Sequence, residues 1–477
     1  MALTLVNRTD VTLDAVRRVA WGDESVALAP EALERMRAAR ATFLKLLDSD
    51  PNIVIYGVTS GYGQRAHVRF TPDERRRHAA RPPRAAGVSF GDPLPERVVR
   101  AIVLARLANF VEGHAAVRPE LAQAVAGMLD SGPLPQVPSL GNGGAGEVLP
   151  LSHLFAELAE RVGPQEKESL ALINGSPVSA ALVADAALAA RARVALAHEV
   201  FALSAEAFKA PLEAYAPALD ALWGEPSEAE SLERLRHLLE GAGGERRSYQ
   251  APVSFRIVPR HLGRTIRALR QAETAANVSL ASVTDNPVYV PPDPDHKLGQ
   301  ILSNGGYQNA IAYPALDELA ASWADLCLLA ERQTQKILEG RVSHLPDGLM
   351  TRPNDDRYMG ALGMALVGWG EQARHAAQRT FLPGPESGGF AQNDVASPTF
   401  HAWRKERDAA TALEACLSVL AIVASQALYV TERPAPQRLA SLLAEIRAVV
   451  PPLERVRMLG PDCERLAEAF ARRVFAV

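Results

Sequence analysis

A glycine-rich segment, PSLGNGGAGEVLPLSH at residues 138–153, holds the residues best suited to unusual chemistry. Four glycines fall among the six positions from Gly141 to Gly146. Glycine adopts backbone conformations with positive φ and lets other groups come close to the main chain. The segment is therefore either a plain loop that leads into a helix, or a place where backbone atoms take part in a reaction.

A second segment, YGVTSGYG at residues 56–63, combines three glycines and two hydroxyl side chains with two tyrosines. It is either a turn that joins two elements or a mobile loop that closes over a site and presents Tyr56. Tyrosine has a pKa of about 10, so it acts as a base only when that pKa is lowered or a positive charge lies beside it. Arg84 and Arg256 are the candidates for that charge.

The glycine-rich segment resembles GSxGASGDLxPLxH, the signature of the histidine and aromatic amino-acid ammonia-lyase and aminomutase family. In that family an Ala-Ser-Gly tripeptide cyclises and loses water to form methylidene-imidazolone (MIO), an electrophile built from the chain itself. Aligned from PLSH, the tripeptide falls on Gly144, Ala145 and Gly146. The methylidene carbon requires a β-hydroxyl that leaves as water, and Ala145 has none. We therefore expect no MIO, and no other cofactor, in this chain.

Three further segments resemble motifs of the same family. YGVTSGYG is similar to YGxxTGFG, whose first tyrosine serves as the general base, and that position is Tyr56. RAAGV, residues 84–88, is similar to the segment that sets substrate selectivity, which implies a substrate-binding role for Arg84. ALINGS, residues 171–176, is similar to ALINGT, whose asparagine contacts the prosthetic group and the substrate. The equivalent residue here is Asn174.

Residues 249–256, YQAPVSFR, resemble the family motif QDxYSxRxxPQ. Gln250 and Arg256 match it as substrate-binding residues, and the family uses this arginine to recognise a carboxylate. A planar guanidinium is well suited to that task. The catalytic tyrosine of the motif aligns with Val253, which is a second departure at a chemical position. The resemblance implies a small-molecule carboxylate as the substrate.

Two segments of the C-terminal half resemble motifs that bear on the substrate. SNGGYQ, residues 303–308, is similar to SGGNFH, whose aromatic residue faces the pocket; its equivalent is Tyr307 or Gln308, and the register stays open. QNDV, residues 392–395, is similar to NQDV of the phenylalanine and tyrosine lyases. Asn393 stands where histidine lyases carry a glutamate, which argues against histidine as the substrate.

The composition argues against several other classes of function. Charged residues make up 22% of the chain and the formal net charge is −4, so no basic excess indicates nucleic-acid binding. The three cysteines lie far apart without metal-ligand spacing, which predicts no metal site and fits the reducing cytoplasm. Acidic residues near the N-terminus argue against a signal peptide. The apolar stretch 412–430 includes Glu414 and predicts a buried core helix and no membrane contact.

The elements that must position these residues are predicted to be mainly α-helical. Pro30 to Leu47 is predicted as a helix with proline in its first turn, and the alanine-rich stretch from Ser179 to Phe208 favours a long helix. The resemblance implies an ammonia-lyase-like fold: an N-terminal domain, residues 1–195, with the tyrosine loop and the degenerate MIO loop, and a long antiparallel helix bundle, residues 196–477. VTDNP, residues 283–287, is intact and is interpreted as a structural turn. The resemblance also implies a homotetramer whose active sites draw residues from several subunits.

Three functions stay open, because the elimination of ammonia loses its covalent partner without MIO. The first is a natural MIO-less enzyme that uses Tyr56 for acid–base chemistry on an aromatic or acyl carboxylate. It is favoured by the coupled departures from the family pattern at Arg84, Ala145, Glu147 and Val253. The second is an aromatic amino-acid ammonia-lyase or aminomutase captured as a serine-to-alanine variant at position 145. The third is a catalytically silent binding or scaffold homologue.

Overall fold

The computed structural model describes residues 2–130, 132–352, 356–383 and 392–476, and these residues are mainly α-helical, as predicted. The α-helices, in chain order, are α1 (Leu13–Val16), α2 (Pro30–Ser49), α3 (Pro72–Ala79), α4 (Glu96–Phe110), α5 (Pro119–Gly127), α6 (Val148–Val162), α7 (Glu168–Ile173), α8 (Pro177–Ala207), α9 (Ala218–Trp223), α10 (Pro226–Leu238), α11 (Val253–Arg256), α12 (Val258–Leu280), α13 (Ala312–Leu338), α14 (Gly340–Ser343), α15 (Leu362–Ala376), α16 (Thr399–Val430), α17 (Ala440–Val449) and α18 (Gly460–Val474).

Short β-strands pair two by two, and within the described residues they form no larger sheet. The strands are β1 (Leu3–Leu5), β2 (Val26–Leu28), β3 (Phe90–Pro93), β4 (Pro138–Leu140), β5 (Val288–Val290) and β6 (Gln300–Leu302). The first pair is parallel, and the β3–β4 and β5–β6 pairs are antiparallel. The β3–β4 ribbon leads the chain directly into the glycine-rich segment.

Four long helices form the centre of the molecule. Helix α13 packs along α16, and both α12 and α16 pack along α8. Pro177 begins α8 at a position where its missing N–H costs no intrahelical hydrogen bond, and alanine, the best helix former, fills much of the rest. Nearly every residue of α8 is buried, so its apolar side chains surround the helix instead of forming one stripe.

Helix α16 contains the apolar stretch that was predicted as a core helix. By length and composition it is long and apolar enough to cross a membrane, but 89% of its most apolar window is buried against the protein. Its Glu414 forms an ion pair with Arg193 of α8, with 2.8 Å between Oε1 and Nε. Its Glu406 accepts a hydrogen bond of 2.8 Å from the indole N–H of Trp323 in α13. The core-helix prediction is therefore confirmed.

The N-terminal elements and the bundle share one hydrophobic core. Helix α4 is buried along most of its length and packs on α8. The predicted helix from Pro30 to Leu47 is observed as α2, which ends at Ser49. The predicted boundary between residues 195 and 196 falls inside the continuous helix α8. The division into two domains stays a prediction, and the two parts would share this helix.

Candidate active site

A cavity of about 970 Å³ opens beside the glycine-rich segment. Its wall combines that segment with the tyrosine loop, the connection between α3 and β3, helix α7, and the segments 303–307 and 392–396. The predicted site residues that line it are Tyr56, Gly144, Ala145, Gly146, Asn174, Tyr307 and Asn393. The fold therefore brings together residues that are as far apart in the sequence as Tyr56 and Asn393.

The turn around Ala145 depends on the glycines at either side. Gly144 has a φ of 101° and Gly146 a φ of 74°, conformations that a residue with a β-carbon adopts only with strain. The backbone N–H of Ser397 donates to the Gly144 carbonyl at 3.1 Å, which ties the turn to the segment that precedes α16. Ala145 lies between the two glycines and lines the cavity.

Glu147 fastens this turn to the start of helix α8. It is 5% exposed and lies in the left-handed region, with a φ of 55°. Its carboxylate accepts hydrogen bonds from the backbone N–H groups of Val178 (2.6 Å) and Ser179 (2.8 Å) and from the Ser179 hydroxyl. Burial raises the pKa of Glu147 to about 7, although these hydrogen bonds and the charge of Arg106 oppose the shift. The carboxylate thus satisfies N–H groups at the helix start that have no partner within the helix.

Asn174 lines the cavity and has a buried amide oxygen without a hydrogen-bond partner among the described residues. Its backbone carbonyl accepts a hydrogen bond of 2.6 Å from the buried Arg106, which also donates to the Ala171 carbonyl at 2.9 Å. The side-chain Oδ1 has no hydrogen bond within the described residues, and it lies 3.1 Å from the position that a β-carbon on Gly146 would take. A buried oxygen without a partner costs free energy, and because this atom is itself enclosed, a ligand in the cavity reaches it only if the side chain moves.

The VTDNP segment supports the backbone next to Asn174, and its own Asn286 lines the cavity. The hydroxyl oxygen of Thr284 accepts a hydrogen bond of 2.9 Å from the backbone N–H of Ser176. Asp285 forms an ion pair with Lys167, and both side chains are fully buried. Burial lowers the pKa of Lys167, and the charge of Asp285 opposes that shift. These contacts are those of a structural support, which is how the sequence motif was interpreted.

Tyr56 projects its phenol from the tyrosine loop into the cavity. The phenol oxygen accepts a hydrogen bond of 3.1 Å from the backbone N–H of Gly63. Burial raises the pKa of Tyr56 above its ordinary value, and the bond from Gly63 opposes this only in part. The phenol is therefore protonated at neutral pH. Neither Arg84 nor Arg256, the predicted sources of an activating charge, lines the cavity with it.

The segment 303–308 presents one of its two candidate residues to the cavity. Tyr307 lines the cavity, whereas the side-chain amide of Gln308 donates to the Ala396 carbonyl at 3.3 Å and does not line it. Asn393, in the segment that precedes α16, also lines the cavity. Of the two candidate residues, Tyr307 is therefore the one that lines the cavity.

Three predicted substrate-binding residues lie away from the cavity within this single chain. Arg84 forms an ion pair with Glu160 of α6, and both side chains are substantially exposed. Gln250 and Arg256 border a different pocket, where Nε of Arg256 donates to the Ala251 carbonyl at 2.9 Å. Their roles in substrate binding stay predictions, because no hydrogen bond or ion pair among the described residues connects them to Tyr56 or Asn174.

Comparison with known proteins decides the family. The chain matches the family profile described as aromatic amino acid lyase over residues 11–163 and 156–450. It belongs to the aromatic amino acid lyase family. One curated relative is the histidine ammonia-lyase of Anaeromyxobacter dehalogenans. It is 30% identical to this chain over 511 residues, which cover 98% of each of the two chains. The histidine ammonia-lyase of Deinococcus radiodurans is 29% identical and covers 96% of this chain and 91% of its own.

Solved structures of the aromatic amino acid lyase family share the fold. The tyrosine aminomutase from Streptomyces globisporus superposes with a TM-score of 0.86 at 24% identity, covering 100% of this chain and 98% of its own. The ergothionase from Treponema denticola superposes with a TM-score of 0.89 at 19% identity, covering 100% and 99%. The predicted ammonia-lyase-like fold is therefore confirmed, and at these identities the likeness concerns the fold alone.

The residues at the centre of the turn do not fit the prosthetic group of the family. Gly144, Ala145 and Gly146 occupy the turn with the positive φ values given above, so the backbone shape is present. The side chain at position 145 is a methyl group, and it offers no oxygen that could leave as water. The tripeptide at positions 144–146 therefore offers no precursor for MIO.

Sequence reasoning missed two residues that the structure makes prominent. Arg81 lines the cavity, although it lies three positions before the arginine that was singled out. The pair of prolines after Arg81 was the available signal, since two restricted residues in a row fix the direction of a loop. The sequence showed Glu147 only as a departure from the family pattern. Its role as a cap on α8 depends on its contact with Ser179, 32 residues later in the chain, which no local pattern reveals.

Proposed function

We propose that this chain is an enzyme of the aromatic amino acid lyase family that works without MIO, binds an aromatic or acyl carboxylate and uses Tyr56 for acid–base chemistry. One observation carries the proposal. Ala145 stands at the centre of a turn whose cavity keeps a phenol and an amide but lacks the hydroxyl from which the electrophile is made. Proton transfer is the chemistry that the remaining side chains support.

The raised pKa of Tyr56 decides the direction of the first proton transfer. A phenol that is protonated at neutral pH enters the reaction as a general acid, so Tyr56 gives its proton to the ligand. The backbone N–H of Gly63 stays bonded to the phenol oxygen and stabilises the phenolate that this step leaves. Such a step suits an unsaturated carboxylate: the proton adds to one carbon of the double bond, water adds to the other, and the proton released by that water restores the phenol.

The rest of the cavity fits a ligand with one apolar and one polar end. Leu170 and Ile173 of helix α7 offer an apolar wall, against which an aryl or acyl chain can be buried. Asn174 is the next residue along the chain, and its side-chain amide carries N–H donors that suit a carboxylate. The polar end of the ligand is thereby placed near the tyrosine loop.

The proposal includes a homotetramer, as the family resemblance implies, and a location in the cytoplasm, which the widely separated cysteines fit. In a single chain Gln250 is exposed and Arg256 is partly exposed, so both remain accessible to a second copy. With a homotetramer, these residues would complete the cavity of a neighbouring copy. Light scattering of the purified chain measures the oligomeric state directly.

The experiment compares the chain with an Ala145→Ser variant. Mass spectrometry of the intact wild-type chain should show no loss of two water molecules, because the tripeptide cannot dehydrate. Ala145→Ser is then tested for ultraviolet absorbance of a cyclised tripeptide and for release of ammonia from L-phenylalanine, L-tyrosine and L-histidine. Ala86→Ser is the matched control, since it adds the same hydroxyl to the same cavity outside the tripeptide.

We expect neither serine variant to release ammonia efficiently. Efficient release by Ala145→Ser alone would contradict the proposal and favour an ammonia-lyase or aminomutase in which serine had been replaced. A Tyr56→Phe variant distinguishes an enzyme from the third possibility, a catalytically silent binding or scaffold homologue. When unsaturated carboxylates are screened with the wild-type chain, Tyr56→Phe should lose at least about 100-fold in turnover, the low end for a general acid. Unchanged turnover would favour a role that does not involve Tyr56.

A further inference from the structure

We propose that the cavity selects carboxylate ligands that carry no ammonium group, and that Arg81 is the residue that pairs with the carboxylate. This inference rests on the proposed function and specifies its substrate class. It replaces the zwitterionic amino acid with an anion, and it assigns recognition to a residue outside the motifs of the family.

The first observation is the charge of the cavity wall. Among the described residues that line the cavity, Arg81 is the one with an ionised side chain at neutral pH, and none is an aspartate or glutamate. A carboxylate ligand therefore meets an opposite charge. An ammonium group meets a like charge and neutral oxygens, such as Oδ1 of Asn174, which can accept a hydrogen bond but do not neutralise it.

The second observation is that the Arg81 guanidinium has no acceptor within the described residues. Arg65 and Arg77 also lack one there, but neither lines the cavity, and three other neighbouring arginines are paired. Arg76 forms an ion pair with Asp73, Arg75 contacts Glu166, and Arg84 is held by Glu160. A guanidinium presents five N–H donors in a planar fork that matches a carboxylate. Arg81 is thus the arginine of this region whose donors remain for a ligand.

The third observation is that the backbone of Arg81 is held in place although its side chain is exposed. The hydroxyl of Ser169, in the first turn of helix α7, donates to the Arg81 carbonyl at 2.8 Å. Pro82 and Pro83 follow and also line the cavity, and their rings restrict the backbone there. The arginine is therefore carried by a stiff loop that is fastened to the same helix that supplies the apolar wall.

The neighbouring imidazole adds no second charge to this end of the cavity. His78 lies between the rings of Tyr62 and Phe70, with centroid distances of 5.2 Å and 4.6 Å. Burial lowers the pKa of His78, and the charges of Arg81 and Arg65 lower it further. The imidazole is therefore neutral at neutral pH, and Arg81 supplies the positive charge that the described residues of this chain contribute to the wall of its own cavity.

The experiment measures the binding of three ligands that share a phenyl ring, by titration calorimetry with the full chain. The probes are 3-phenylpropanoate, which has only the carboxylate; L-phenylalanine, which adds an ammonium group; and 2-phenylethylamine, which has only the ammonium group. We expect 3-phenylpropanoate to bind about tenfold or more tightly than L-phenylalanine, a difference of about 1.4 kcal/mol, and 2-phenylethylamine to show no binding. Equal affinity for the first two would overturn the proposal.

Two variants test whether Arg81 is the residue responsible. Arg81→Gln should weaken 3-phenylpropanoate binding about tenfold or more, and Arg81→Lys should recover part of the loss, because a charge remains without the planar fork. Arg77→Gln is the matched control: it removes the same charge from an exposed position of α3 that does not line the cavity, and its affinity should equal that of the wild type. Wild-type binding by Arg81→Gln would refute the assignment.

Salt dependence and turnover separate this inference from the proposed function. Wild-type affinity for 3-phenylpropanoate should fall as salt rises, since Arg81 is exposed and its charge is screened, whereas Arg81→Gln should show a flatter dependence. Tyr56→Phe should keep the preference for the anion even if it abolishes turnover. Loss of catalysis and loss of anion selection are therefore measured independently, and each can fail without the other.

Discussion

The Arg193 cluster of the helix bundle and the cavity differ in whether their polar groups are paired. In the bundle, the guanidinium of Arg193 contacts Glu414 at 2.8 Å and Glu406 at 3.7 Å, and Trp323 provides a further bond to Glu406. In the cavity, the amide oxygen of Asn174 has no partner within the described residues. The Arg193 cluster uses its polar groups to hold helices together, whereas Arg81 and Asn174 at the cavity wall keep polar atoms that no described residue pairs with.

This difference shows where a substitution should affect stability and where it should affect binding. A buried ion pair whose partner is removed leaves an uncompensated charge, which destabilises the folded chain strongly. A polar atom that already lacks a partner loses little when it is changed, but a ligand that uses it loses a contact. The three predictions below test this contrast, beginning with the largest expected effect.

The first prediction concerns the buried cluster of the bundle. Arg193→Met should lower the free energy of unfolding by about 3–5 kcal/mol, because Glu406 and Glu414 would stay buried without their cation. The control is Arg191→Met on the same helix, whose pair with Glu273 is partly exposed; its effect should stay within about 1 kcal/mol. Chemical denaturation measures both, and equal effects would show that burial does not set the difference.

The second prediction concerns Glu147, which joins the turn to α8. Its folded-state pKa of about 7 lies above the ordinary value of 4.5, so the folded chain binds a proton that the unfolded chain releases. The associated stability is fully present below about pH 4.5 and is lost as the pH rises to about 7, a change of about 3 kcal/mol. Glu147→Gln should flatten melting temperature against pH in this window, and an unchanged slope would contradict the shift.

The third prediction separates strain from ligand contact. Gly146→Ala should cost about 1–2 kcal/mol because of its positive φ, and its new methyl group should displace the Asn174 amide. The amide N–H groups can donate to a carboxylate, so ligand binding should weaken about tenfold. Gly163→Ala has a similar φ of 64° but meets no atom within 4 Å. It should cost about as much backbone strain and leave affinity for 3-phenylpropanoate unchanged. If both variants bind equally well, Asn174 is not part of the binding site.

The helices could be predicted from the sequence where local signals agree. A proline at the first turn marked α2, and a long apolar run with few charges marked α16. The proposed domain boundary shows the limit of this approach. The alanine-rich run of α8 contains no glycine or second proline between Pro177 and Ala207, so no residue signals where one part of the molecule ends and the next begins.

The site could be predicted where residues lie within motifs, and less well where long-range contacts decide. Tyr56 and Asn174 were found by their motifs and line one cavity. Arg84 was chosen from its motif, but its guanidinium meets Glu160, 76 positions later, and spacing along the chain does not encode that contact. The same fold turns Arg81 toward the cavity. Which of two arginines faces a ligand is therefore a property of the tertiary structure.

The turn around Ala145 has an evolutionary consequence. Because glycines at positions 144 and 146 supply the unusual backbone angles, the shape of the turn does not depend on whether alanine or serine lies between them. A lineage could therefore abandon the self-made electrophile, or regain it, by exchanging one oxygen atom on a scaffold that stays folded throughout. Such a scaffold offers protein engineers a starting point at which new reactivity can be installed without redesigning the architecture.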